Sequence, residues 1–259
     1  MYSETLWRLL PFISLLLVLG CLEHLKPWRP SDSFRSTRWR NHISLQLLAM
    51  ALIKLVVPVS LMGVAMWGQQ HGWGLMLLSP LPTPIAWIAT LVLMDLAIYG
   101  QHRVMHRLPA LWRLHRLHHS DRMLDVTTAL RFHPLEMLLS LFWKMAVVLV
   151  LGASAEVVLL FEILLSSAAL FNHANIRLNP VLERCLRCFV VTPDMHRVHH
   201  ARVASETDSN FGFCLSCWDR WFQTYSAKSA QGEAVDIGLN EFSAPRENRV
   251  LDMLTQPWR

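Results

Sequence analysis

The sequence predicts an all-α integral membrane protein: four to five transmembrane or hairpin helices, with a cytoplasmic helical cap that carries boxes of histidine. Three observations lead there. The chain of 259 residues is 53% hydrophobic and only 17% charged, with a mean hydropathy of +0.30. Its apolar residues collect in runs of near-membrane length instead of being spread as in a soluble core. Eight of its 13 histidines fall in three tight groups.

The first run covers residues 6–22 and is interrupted only by Arg8 and Pro11. No basic segment precedes it and no small-residue cleavage site follows, so it reads as an uncleaved anchor. The second run, 43–67, contains a lone Lys54, and the third, 84–99, leads into the first histidine group. The fourth and fifth, 135–151 and 155–171, are joined by Gly152, Ala153 and Ser154. Both are short for full spans, and the expectation is a hairpin that only partly crosses.

Charge sets the orientation. Lys26, Arg29, Arg35, Arg38 and Arg40 lie between runs one and two, whereas residues 68–83 contain no Lys or Arg. Arg103, Arg107, Arg113, Arg116, Arg122 and Arg131 lie between runs three and four, and further arginines follow run five. The positive-inside rule then puts the N-terminus outside, with the histidine boxes and the C-terminus cytoplasmic, in a multi-pass protein of the plasma (inner) membrane. The net charge of +5 reads as contact with anionic headgroups, not nucleic acid. Residues 1–94 form the anchor region, 95–226 the catalytic region continuous with it, and 227–259 a polar tail expected on the surface or loosely ordered.

His102 and His106 form H-x-x-x-H, while His115, His118 and His119, and again His196, His199 and His200, form H-x-x-H-H. On a helix, residues three or four apart share a face, so each box is expected to point its rings one way. Neutral imidazole is the commonest protein metal ligand and suits iron, zinc and copper. Leu108-Pro109 stops the helix of the first box, and a short interfacial helix carries the second. Thr192-Pro193-Asp194 starts the helix of the third.

His173, at the end of run five, sits at the right depth to join as a ninth ligand. His133 is either a ligand or a supporting residue. Asp95 and Tyr99 continue the stripe of His102 and His106 at helical spacing. Asp95, costly to bury unpaired in a membrane, either orients a ligand histidine or pairs with a donor on a neighbouring helix. His24, His42 and His71 read as bystanders.

Two iron ions offer about twelve ligand positions, so nine imidazoles leave room for water and O2. A single structural zinc needs only about four ligands. The reading is therefore a di-iron centre, with zinc able to replace iron in purified or crystallised protein. A zinc-dependent membrane hydrolase is the alternative, although no box contains the glutamate of H-E-x-x-H. A metal-binding or transport protein is a weaker one, since its ligands would lie near mid-membrane. Cys185-x2-Cys188 and Cys214-x2-Cys217 could form a zinc or rubredoxin-type site, but neither pair has the glycine that follows a typical knuckle. They read as small apolar fillers in a reducing compartment.

Taken with their flanks, these motifs resemble the fatty acid hydroxylase / sterol desaturase superfamily of membrane-bound, histidine-rich di-iron oxygenases. The resemblance runs from Asp95 to Tyr225, through Arg131-Phe132-His133-Pro134-Leu135-Glu136, Phe171-Asn172-His173, Asn210-Phe211-Gly212 and Trp218-Asp219-Arg220. It departs where family members commonly carry Tyr for Phe211, Gly for Gln223 and Ser for Ala201. It implies an enzyme of lipid biosynthesis that uses O2 and two electrons to hydroxylate or desaturate a C–H bond of a sterol or fatty acyl lipid. It also implies iron ligation by the nine histidines. The chain carries no flavin, NAD or haem signature, so a ferredoxin or cytochrome b5-like donor with its reductase is expected to supply the electrons.

Overall fold

A computed structural model describes residues 2–78 and 81–259. Its regular structure is helical, with only isolated β-bridges besides. Five stretches are long and apolar enough to cross a membrane. They are built on α1 (Tyr2–Leu25), α2 (Arg35–Val56) continued by α3 (Leu61–Gln70), α4 (Thr83–Arg107), α6 (Pro134–Leu151) and α7 (Ala155–His173). Between α4 and α6 lies α5 (Pro109–His119), and after α7 come the short helices α8 (Pro180–Leu186), α9 (Pro193–His199), α10 (Ala204–Thr207), α11 (Cys217–Trp221) and α12 (Val250–Thr255).

The second apolar run is not one continuous helix. Pro58 cannot donate a backbone hydrogen bond, and the chain opens over residues 57–60. Ser60 then restarts it by accepting from the Gly63 amide at 3.1 Å. The hairpin is longer than expected. With 18 and 19 residues, α6 and α7 reach about 27 and 28 Å, close to the hydrocarbon thickness of a bilayer. Gly152 turns the chain between them at φ +69°, in the left-handed region. A Cβ on Gly74 would meet the Gly152 backbone at 2.1 Å, so two glycine turns touch at this end of the bundle.

The helices bury one another through Leu61, Val64, Met94, Ile98, Val148 and Phe161. Their outer faces stay apolar: Leu17, Leu55, Ile88 and Val150 are each 60% exposed or more. Such a surface would aggregate in water and suits a lipid solvent.

The opposite end of the bundle is closed by a buried polar layer. Arg38 of α2 donates to both oxygens of Asp121, at 3.2 and 3.0 Å, and its Nη1 lies 3.2 Å from Asp125. Burial works to raise the Asp121 carboxyl, but the charges of Arg38 and Arg131 and the bonds from Arg38 outweigh it and hold the group below the usual carboxylate range. Arg131 is fully buried. It ties the end of α5 (Leu117 carbonyl, 2.9 Å; Ser120 Oγ, 2.8 Å) to Asn248 Oδ1 at 2.9 Å.

The tail is therefore not loose. It forms α12 (Val250–Thr255) and short 3-10 turns, with Met253 and Gln256 fully buried against α2 and α5. Its polar composition reflects buried partners: Gln256 Oε1 accepts from Ser120, and the Gln256 carbonyl accepts from Arg116.

Replacing Arg38 with Met strands Asp121 and Asp125 as unpaired buried carboxylates. The expected cost is about 3–5 kcal/mol, read as a lower unfolding midpoint in detergent.

Candidate metal centre

Four helices deliver the histidines to one place. The last turns of α4 carry His102 and His106, α5 carries His115, His118 and His119, and α7 ends at His173. The fourth, α9 (Pro193–His199), carries His196 and His199 and is followed by His200. Thr192 caps α9 by accepting from the Met195 amide, with Pro193 in the first position, as the sequence predicts.

These nine rings converge in two groups. One holds His102, His106, His115, His119 and His199; the other holds His118, His173, His196 and His200. Within each group the ring nitrogens lie within 4.8 Å of one another. The H-x-x-H-H boxes do not point one way. Each divides between the groups, because positions i+3 and i+4 diverge by about 100° around a helix. His115 and His119 go with one group and His118 with the other; His196 and His200 take the second group and His199 the first.

The chemistry of these nitrogens fits metal ions. In the four-histidine group His173 Nε2 lies 3.0 Å from both His118 Nε2 and His196 Nε2, and His196 Nε2 lies 3.2 Å from His200 Nε2. Imidazoles bound at about 2.1 Å and at right angles on one ion stand about 3 Å apart. In the other group the Nε2 atoms of His102, His106, His115, His119 and His199 are buried with no hydrogen-bond partner. Orphaned buried polar atoms are rare, and this cluster of them is a donor set that a metal ion would satisfy.

Opposite bonds fix several rings. The Nδ1–H groups of His102, His173 and His199 donate to the carbonyls of Phe211 (2.9 Å), Ala169 (2.6 Å) and Ser209 (2.7 Å), and His115 Nδ1 meets Glu136 Oε1 at 2.6 Å. Each bond selects the tautomer with Nε2 free to ligate. Burial, then neighbouring imidazoles, pushes His118, His119 and His200 well below their ordinary value of 6.5. The same holds for His196 and His199. They stay neutral, the form that binds metal.

Among the described residues, Asp95 and Tyr99 hydrogen-bond to no histidine. Asp95 accepts from the amides of Cys214 and Leu215 and from Trp218 Nε1, at 2.8–3.1 Å. Tyr99 Oη meets Thr224 Oγ1 at 2.8 Å, Thr224 donates to Asp219, and Asp219 accepts from the amides of Phe211 and Gly212. These bonds hold the loop whose Phe211 carbonyl orients His102. Asn210 adopts the left-handed φ of 51° that this loop needs, a conformation asparagine tolerates.

His133 lies outside both groups: its Nδ1 caps α6 at the Leu135 amide, and its Nε2 meets the Leu254 carbonyl at 3.3 Å. His42 is a buried link between Thr127 and Arg131. The exposed His71 bonds to the Trp67 carbonyl, and His24 is exposed. Among the described residues the cysteines join no metal-binding cluster; Cys185 and Cys188 are exposed. Sequence reasoning missed Glu136 as a partner of His115, although it lies within the quoted Arg131–Glu136 motif.

A cavity of about 610 Å³ opens beside His102 and His115 and runs up between α1, α2, α4, α6 and α7. Its walls include Phe132, Met137, Leu165 and Phe213.

The sequence matches the fatty acid hydroxylase family over residues 87–224, more than half of the chain. The chain belongs to that family. It is thereby an oxidoreductase of the lipid hydroxylase and monooxygenase type. The ornithine lipid hydroxylase OlsE of Rhizobium tropici is 28% identical over 247 residues, covering 90% of this chain and 71% of that protein. The alkylglycerol monooxygenases of Xenopus tropicalis and Homo sapiens are 29% and 30% identical over 215 and 160 residues. The matches cover 80% and 62% of this chain but 45% and 34% of those proteins. No solved structure matches the chain.

Glu136→Leu removes the partner of His115 and is expected to weaken metal retention about 10–100-fold, measured by chelator competition. Stability also depends on pH. Below 6.5 the unfolded chain takes up protons that the buried histidines refuse, so stability falls as pH falls and changes little above that value. Thermal midpoints from pH 7.5 to 5.5 check this.

Proposed function

We propose that this protein is a membrane-bound di-iron oxygenase that hydroxylates a C–H bond of a lipid. The observation that carries this is the set of nine convergent imidazoles, two of which, His102 and His115, line a largely apolar cavity. His102, His106, His115, His119 and His199 would hold one iron, and His118, His173, His196 and His200 the other. Iron bound there would supply the O2 activation that an unactivated C–H bond requires. The overall balance is R–H + O2 + two electrons + two protons giving R–OH + water.

The chain's own residues position and shield. Phe132, Met137 and Phe213 receive the lipid chain beside His102 and His115, and the apolar walls exclude water. Glu136 and the carbonyls of Ala169, Ser209 and Phe211 keep the rings aimed inward. Relatives named as a hydroxylase and as monooxygenases favour hydroxylation over desaturation. They also favour a lipid with a polar head, as in ornithine lipid or alkylglycerol. In this reading a ferredoxin or cytochrome b5-like partner delivers the electrons at the cytoplasmic face, the side that the positive-inside rule assigns to the histidines.

Protein from iron-replete cells is expected to carry on the order of two irons per chain and to couple O2 uptake to a hydroxylated lipid. His102→Ala and His118→Ala are each expected to abolish that product while leaving the helical content intact. One zinc per chain, with lipid cleavage and no O2 uptake, would overturn the oxygenase in favour of a hydrolase.

A further inference from the structure

The cavity does not end in apolar residues. Its far wall carries Arg8 of α1, Lys144 of α6 and Glu162 of α7, all within membrane-spanning helices. Arg8 Nη2 lies 2.7 Å from Glu162 Oε2. Among the described residues Lys144 makes no hydrogen bond or ion pair; the charged groups that act on it are Glu162 and Arg8. Among the described residues, two cations thus face one carboxylate at this end of the cavity. Arg8 Nε is also buried with no hydrogen-bond partner. Ionisable groups at this depth are expensive and, where they line a cavity, mark a ligand path.

We propose that this end of the cavity binds the anionic group, carboxylate or phosphate, of an amphiphilic substrate, between Arg8 and Lys144. The proposal rests on the cavity being the lipid site of the oxygenase. A bound anion pairs with Lys144 and gives Arg8 Nε an acceptor. Glu162 holds Arg8 in place and, as a competing carboxylate, limits affinity so that product leaves.

Spacing then says where oxidation falls. Glu162 stands eleven residues above His173 on α7, and Lys144 eight above Glu136 on α6. At 1.5 Å per residue, the anion site is about 12–16 Å from the histidines. With carbon–carbon bonds of about 1.5 Å in a zigzag, the reacting carbon lies on the order of ten bonds from the anionic group.

Hexadecanoate, hexadecyl phosphate and hexadecanol, titrated against the metal-loaded protein in an uncharged detergent, test this. The anions are expected to bind at least about tenfold tighter than the alcohol, the worth of one desolvated charge-assisted bond. Lys144→Met should erase that preference without weakening hexadecanol, Lys144→Arg should keep it, and Glu162→Gln should increase it. Carboxylate over phosphate would indicate a free fatty acid, and the reverse a phosphorylated headgroup. Equal binding of all three probes by the unaltered protein, or an unchanged preference in Lys144→Met, would overturn the proposal. Anion preference without lipid oxidation would keep this site and remove the oxygenase reading instead.

Discussion

A buried polar atom left without a partner costs about 1–3 kcal/mol, and this protein places several such atoms in one small volume. The rings are too deep and too weakly basic to be rescued by protonation. Much of the remaining architecture can be read as a means of holding imidazoles together despite that cost. The helices of the bundle supply rigid rods, and the carbonyls and Glu136 remove rotational freedom from the rings. Metal binding and folding are therefore coupled: whatever fills the two groups also relieves the strain of assembling them.

Support for the site comes from two polar frames. Asp95 reaches out of α4 to clamp the loop around Cys214–Trp218, so a carboxylate in an apolar helix is spent on amides and an indole. Arg38, Asp121 and Arg131 form a second frame at the end of α5. The two frames share none of these residues.

The helical class and the histidine boxes were legible because both are local patterns. A run of apolar residues or a three-and-four spacing is visible without knowing the fold. The break at Pro58 was visible too, but a window of hydropathy smooths over one proline. The pairings of Glu136 with His115, of Arg8 with Glu162 and of Arg131 with Asn248 join residues 21, 154 and 117 apart. No periodicity reports such pairs. The tail misled for a related reason: Asn248 and Gln256 are polar because they answer buried polar atoms, and composition alone reads that as exposure.

The division of each H-x-x-H-H box between two groups has a mechanical consequence. A single rigid turn of α5 carries rings for both groups, and so does the turn of α9. Any shift of either helix that draws rings around an ion in one group moves rings in the other. The two pockets are not independent vessels: what fills one resets the shape of the other.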